Sequence, residues 1–189
     1  PLDELIEKHG IGIADALGTQ FIGASKIDGK TYGIPTVRDL AGDRSLIMRK
    51  DLVDKYNIEI TTIKSLDDVE AVLKTIKENE PSVSPLMPGQ VGAATVVDGV
   101  YLPEGDPLGD NFGVLLDSSK LKVSNYYESD EYSKFLKTAR KWYKAGYILP
   151  GAATNKESAE SLMKANKIFS FIASSKPGIE GQVSKNVGG

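Results

Sequence analysis

The chain has 189 residues, 40% of them hydrophobic and 26% charged, with a formal net charge of -3. These are the proportions of a soluble globular domain, or of one lobe of a larger protein, with enough chain to bury a substantial core. Its lysines are dispersed among acids, so neither nucleic acid nor an anionic membrane surface is favoured as a partner. The absence of cysteine excludes a disulfide scaffold, a thiolate metal site and a cysteine nucleophile. No apolar run approaches the roughly eighteen residues that a membrane span needs.

Pro1-Leu2-Asp3-Glu4-Leu5 reads as a helix entrance and not as a signal peptide, and both ends read as cut from something longer. Leu2 to Lys8 and Ile11 to Leu17 are predicted as short helices separated by Gly10. Asp28-Gly29-Lys30 is a turn between strands, leading into a strand over Thr31 to Pro35. Ser45 to Met48 is a second apolar strand, followed by a helix from about Lys50 to Lys55. Ser65 opens a further helix as its cap, with Asp67 and Asp68 suiting the positive end of the helix dipole. Leu66, Val69, Val72, Leu73 and Ile76 share one face of it, and it ends near Glu80-Pro81.

Ser84 to Met87 is a short strand entering a Gly-rich loop that runs to Asp110. Gly113 to Leu116 and Lys122 to Tyr126 are predicted as a hairpin. If the latter strand reaches Tyr127, alternation buries one of Tyr126 and Tyr127 and exposes the other. The strongest helix spans Asp130 to Ala145 with Tyr132, Phe135, Leu136, Ala139, Trp142 and Tyr143 on its core face, stopped by Gly146. A helix from Lys156 to Lys164 precedes a buried strand, Ile168 to Ile172. Lys176-Pro177-Gly178 then starts a last helix, with Pro177 in its first turn. Alternating strands and helices define a layered α/β architecture.

Three segments, in order, resemble the family 1 extracellular solute-binding proteins of ABC importers, the maltose-binding-protein-like group. They are Lys26 to Pro35 with Leu46 to Leu52, then Ser65-Leu66-Asp67-Asp68, then Ala159 to Lys167 leading into Phe169-Ser170-Phe171-Ile172. Met48 to Val53, Lys141 to Tyr147 and Lys176 to Glu180 are similar to a Gram-positive lipoprotein subgroup of that family. The resemblance implies a periplasmic-binding-protein type II lobe, layered α/β/α with a mixed sheet. Residues 1–35 would be the end of the first lobe and the first hinge strand, and residues 36–189 the second lobe. It also implies an extracytoplasmic protein, lipid-anchored at the cell surface in full length. Such a protein hands a small-molecule ligand, a carbohydrate above all, to a membrane permease by hinge closure of two lobes, with no cofactor and no catalysis.

Sugars present paired hydroxyls, which Arg, carboxylate and amide side chains match with two hydrogen bonds at once, and weakly apolar ring faces, which aromatic rings cover. By resemblance, Arg38 and Asp39 follow the crossover strand as ligand contacts, with a surface salt bridge as the alternative; Asp43 and Arg44 have the same character. Ser174, Ser175 and Lys176 occupy a loop where the family often carries an aromatic, which favours polar contacts or an anionic ligand group held at a helix N-terminus. Alternatively Ser174 or Ser175 simply caps the next helix. Gln90 and Met87 turn towards the cleft or form an exposed loop tip. Trp142 and Tyr143 belong to the core. His9 has no metal or catalytic partner nearby, and Glu104, Asp106 and Asp110 lack the spacing of a calcium loop. The rival functions are a binding protein for a peptide or anionic small molecule, and a carbohydrate-active α/β enzyme domain. The sequence carries no G-x-S-x-G, H-E-x-x-H or P-loop for the latter.

Overall fold

The structure, a computed structural model, describes residues 1–36, 43–88, 105–106, 108 and 113–188. It divides into two compact units, Pro1–Gly42 and Asp43–Gly189.

In the first unit, α1 (Asp3–His9) and α2 (Ile11–Ala24) are separated by Gly10. A Cβ at Gly10 would lie 2.9 Å from the Ile6 backbone, so only glycine permits this close approach. The predicted end of the second helix near Leu17 corresponds to a kink at Gly18 (φ 67°), after which the helix resumes to Ala24. Asp28 and Gly29, both left-handed (φ 49° and 76°), form a two-residue turn between β1 (Lys26–Ile27) and β2 (Lys30–Thr31). The strand does not continue to Pro35 as the sequence suggests: pairing stops at Thr31, Tyr32 and Ile34 are exposed, and proline has no N–H to offer a ladder. The Thr31 N–H donates to the Asp3 carboxylate at 3.1 and 3.3 Å, and Leu2 N–H donates to the Thr31 carbonyl at 2.7 Å. This ties the hairpin to α1.

The second unit is organised around β7 (Ile168–Ser175). It lies between β3 (Asp43–Met48), antiparallel to it, and β4 (Ser84–Met87), parallel to it. On the far side of β4, Leu86 N–H donates to the Tyr147 carbonyl and Leu149 N–H to the Leu86 carbonyl, both at 2.9 Å, so residues 147–149 extend the sheet in parallel. Ile168, Phe169, Ser170 and Phe171 are all buried, as a central strand covered on both faces requires.

Adjacent residues of β4 point to opposite faces. Met87 packs with Phe171 against Leu162 and Met163 of α6 (Ala159–Lys164) and Val183 of α7 (Ile179–Val187). Leu86 packs on the other side with Ile148, Leu73 of α4 (Leu66–Asn79) and Trp142 of α5 (Asp130–Lys144). Phe169 meets Leu52 and Val53 of α3 (Lys50–Lys55) and Val72 and Ile76 of α4. The result is an α/β/α sandwich with a mixed sheet. β5 (Gly113–Leu115) and β6 (Val123–Asn125) form the predicted hairpin as a separate pair.

Local chemistry sets the helix ends. Ser65 accepts from Asp68 N–H at 3.3 Å while Asp68 accepts from Ser65 N–H at 2.8 Å, a reciprocal capping box. Ser129 caps α5. Tyr147 N–H to Trp142 O and Gly146 N–H to Tyr143 O, both 3.0 Å, close its other end with Gly146 left-handed (φ 72°). Ser158 caps α6, so that helix starts three residues later than the expected Lys156. Trp142 is buried and donates its indole N–H to Glu70 at 2.8 Å, while Lys141 reaches the other Glu70 oxygen at 2.6 Å. Tyr143, expected in the core, is 66% exposed, and Leu136 is 38% exposed. Tyr143 lies about 100° around the helix from Trp142, and α5 turns the Trp142 arc inwards.

Two stability effects follow. The Ser170 hydroxyl, fully buried, donates to the Pro85 carbonyl at 2.7 Å. Ser170→Ala leaves that carbonyl without this partner and is expected to cost about 1–3 kcal/mol in urea denaturation. Lys141 and Trp142 hold the Glu70 carboxyl below its ordinary 4.5, opposed by desolvation. A depressed folded pKa stabilises above the unfolded value, and that contribution fades as pH falls through the folded one. Glu70→Gln is therefore expected to lower stability at pH 7 and flatten the acid limb below about pH 4.5 in a pH series of melting temperatures.

Candidate functional site

Strand direction brings several segments to one edge of the sheet. β4, β7 and residues 147–149 run the same way, and β3 runs opposite. The carboxyl ends of the first three and the amino end of β3 therefore share an edge. In open α/β sheets the crevice outside the carboxyl ends of strands is where ligands bind.

β4 ends with Met87 opposite Phe171, whereas β7 runs on to Ser175, paired there among the described residues with β3 alone; Ser174 pairs with Arg44 and Ser175 with Asp43. Ser174 and Ser175 thus end a strand and do not sit in the expected loop. They do not cap the next helix either: its N-cap is Gly178, left-handed at φ 81°. Pro177 precedes that cap, outside the helix and not in its first turn. Gly178 redirects the chain here, so a serine cap is unnecessary. Ser174 and Lys176 are exposed and Ser175 is half-buried, and all three emerge at the shared edge.

Met87 is 2% exposed and packs with Phe171 and Leu162, so it is a core residue and neither faces a cleft nor tips a loop. For Asp43 and Arg44 only the backbone pairing is described. Arg38, Asp39, Gln90, Glu104 and Asp110 lie outside the described residues. Asp106 accepts from Leu108 N–H at 2.8 Å. His9 lies exposed in the last turn of α1. Among the described residues no group of three His, Asp or Glu could hold a metal ion, and no helix is long and apolar enough to cross a membrane.

Two further segments bear on this edge: residues 149–154, which were not singled out in the sequence, and the turn before α5, where one of Tyr126 and Tyr127 was expected to be buried and the other exposed. Residues 149–154 follow the 147–149 strand over it, turning at Gly151 (φ 70°); the Pro150-Gly151 pair after an apolar run was the available signal. The second is the start of α5, where Tyr126, Tyr127 and Tyr132 form a cluster with ring centroids 5.0–5.9 Å apart. Tyr126 is buried and Tyr127 exposed. They do so in a 3-10 turn (Tyr126–Glu128) and not by strand alternation. The edge offers hydroxyls, an ammonium and backbone groups, which suit the hydroxyl-rich surface of a polar ligand.

No family model matches this sequence. It is 34% identical over 157 residues to a carbohydrate ABC transporter substrate-binding protein of Streptococcus pneumoniae serotype 4, a match covering 83% of this chain and 31% of that relative. The crystal structure of the N-glycan transport solute binding protein NgtS from Streptococcus pneumoniae aligns over 99% of this chain and 40% of that one, with a TM-score of 0.77 at 28% identity. In complex with Man5GlcNAc it aligns over 97% of this chain and 40% of that one, with a TM-score of 0.69 at 29% identity. The substrate-binding protein Lmo0181 from Listeria monocytogenes, solved with cycloalternan, shares the fold: TM-score 0.59, 20% identity, 92% of this chain and 42% of that one.

The fold is of the periplasmic-binding-protein type II class, layered α/β/α with a mixed sheet. The identity to that substrate-binding protein and the likeness to NgtS support the family that the order of motifs implies, the extracellular solute-binding proteins of ABC importers. The chain spans about a third of the length of the curated relative it matches.

Ser174 and Lys176 are exposed at a strand end. Ser174→Ala and Lys176→Ala are expected to change unfolding free energy by less than about 0.5 kcal/mol in chemical denaturation, so that any loss of binding they cause reports on contact and not on folding.

Proposed function

We propose that this chain is part of an extracytoplasmic protein that captures an oligosaccharide for an ABC importer by closing two lobes on it. Residues 36–189 belong to the second lobe, and residues 1–35 to the end of the first lobe and its hinge strand. The observation that carries this reading is the 34% identity, over 83% of the chain, to a carbohydrate ABC transporter substrate-binding protein. NgtS, similar over nearly the whole chain, has been solved with Man1GlcNAc and Man5GlcNAc, which makes N-glycan fragments the first ligands to try.

In this proposal Ser174, Ser175 and Lys176 contact the ligand from the carboxyl edge of the sheet, with Arg38, Asp39 and Gln90 as further contacts. The ligand passes to a membrane permease, and a lipid anchor keeps the full-length protein at the cell surface. The protein binds without turnover. Lys176, exposed at that edge, supports a second reading in which the ligand is an anionic small molecule or peptide.

Ligand-dependent thermal melting of the full-length protein tests the proposal. A ligand present at a hundredfold excess over its Kd stabilises the folded state by about 2.7 kcal/mol. Man1GlcNAc or Man5GlcNAc is expected to raise the melting temperature with concentration and to remain intact by mass spectrometry. Cleaved glycan would overturn the carrier reading in favour of an enzyme. A shift with an anionic compound or peptide but none with glycans would overturn the carbohydrate assignment.

A further inference from the structure

Burial and strand pairing both end abruptly at Thr31. Thr31 is 2% exposed although its side chain is polar, whereas Tyr32, the next residue, is 54% exposed. Gly33, Ile34 and Thr36 are exposed too and Pro35 is half-buried, with no strand pairing described for any of them. A Cβ at Gly33 would meet nothing within 4 Å, so that side of the backbone is open.

The hairpin does not itself satisfy Thr31. In a two-residue hairpin the pair beside the turn, here Ile27 and Lys30, exchanges the hydrogen bonds. The next pair, Lys26 and Thr31, directs its N–H and carbonyl groups outward. A buried backbone group that faces outward needs a partner elsewhere. Both partners of Thr31 come from the start of α1. Its N–H donates to the two Asp3 carboxylate oxygens at 3.1 and 3.3 Å, and its carbonyl accepts from Leu2 N–H at 2.7 Å. Hydrogen bonds from the Thr31 side chain and then from its N–H hold the Asp3 carboxyl below its ordinary value, with Lys26 adding in the same direction against desolvation. Asp3 is therefore ionised at neutral pH, and an ionised acceptor makes a stronger bond than a neutral one. Its place in the first turn of α1 also suits the positive end of that helix.

A hinge works through a few element-end residues that absorb changes in φ and ψ while the chain on either side stays fixed. We propose that Asp3 is a positioning residue for lobe closure: by clamping Thr31 to α1 it fixes the end of the hinge hairpin, so that rotation starts at Tyr32 and Gly33. This rests on the two-lobe reading above and deepens it by naming the side chain that bounds the hinge. Where the chain enters the second unit it is fixed by a strand ladder, beginning with Asp43 opposite Ser175. The clamp at Thr31 depends on a single side chain, so it is the restraint that one substitution can release. Releasing it lengthens the segment free to turn, and a longer free segment samples more orientations.

Two measurements on the full-length protein test this. Double electron–electron resonance between nitroxides at Asp15→Cys in α2 and Lys137→Cys in α5, both exposed positions, reads the spread of lobe orientations. Hydrogen exchange over residues 26–31 reads the clamp. In Asp3→Ala, exchange at Thr31 is expected to quicken roughly three- to tenfold, the usual worth of one hydrogen bond, and the ligand-free distance distribution to broaden. Glu4→Ala, which removes the neighbouring charge in the same turn, should match the wild type in both. Asp3→Asn keeps one acceptor oxygen and should fall between, and it decides the matter if the alanine variant is poorly folded. A wild-type spread of distances in both Asp3 variants overturns the proposal even if exchange quickens, because a tie that merely holds the hairpin would alter exchange alone. That result leaves the carrier reading standing. A wild-type protein whose distance does not shorten with Man5GlcNAc overturns the two-lobe reading and this one with it.

Discussion

The central position of β7 is the constraint on which the second unit depends. Its first four residues are buried from both sides, and its backbone pairs antiparallel with β3 and parallel with β4. Burial on two faces demands helices on both, and the parallel pairing demands a crossover between β4 and β7. The α6–α7 layer and the α3–α4–α5 layer are the consequence. Ser170, a polar residue in the middle of this strand, fits because its hydroxyl reaches the Pro85 carbonyl in the neighbouring strand. Without such a partner a buried hydroxyl would weaken the element that everything else leans on.

Strand direction then decides what the unit presents at the carboxyl edge of its sheet. Because three strand segments end at one edge and β3 begins there, residues far apart in sequence, around 87, 149 and 175, converge on it. The overhang of β7 beyond β4 carries Ser174 and Ser175 clear of the core, and Gly178 turns the chain into α7. Only the backbone conformation of glycine makes that left-handed turn inexpensive. Ser174 and Ser175 are thus held by a ladder and not by a free loop, which fixes the geometry of the polar groups they carry to this edge.

The helices on the α4–α5 side are coupled through Glu70, which accepts from Trp142 and pairs with Lys141. An indole that is buried yet keeps its N–H satisfied fixes the rotation of α5, and that rotation decides which aromatic residues are core and which remain outside. Tyr143 is excluded from the core for this reason, although its spacing on the helix made it look equivalent to Trp142.

Much of this was legible in the residues themselves. The Ser65 cap with Asp68, the Asp28-Gly29 turn, the stop at Gly146 and the apolar run from Ile168 are local signals, decided by hydrogen bonds and dihedral preferences within a few residues. The alternation of strands and helices made the layered α/β class readable, and the order of motifs from Lys26 to Glu180 pointed to the family. Other features depended on distant parts of the chain. Whether β7 stops at Ile172 or runs to Ser175 is set by how far β3 accompanies it. Whether Met87 faces a ligand or the core is set by α6, packed over the sheet from more than seventy residues away. Local chemistry therefore determined where elements start and turn. Only the tertiary structure decided which of their faces are covered and which ends meet, because burial and register are properties of neighbours that the local sequence does not contain.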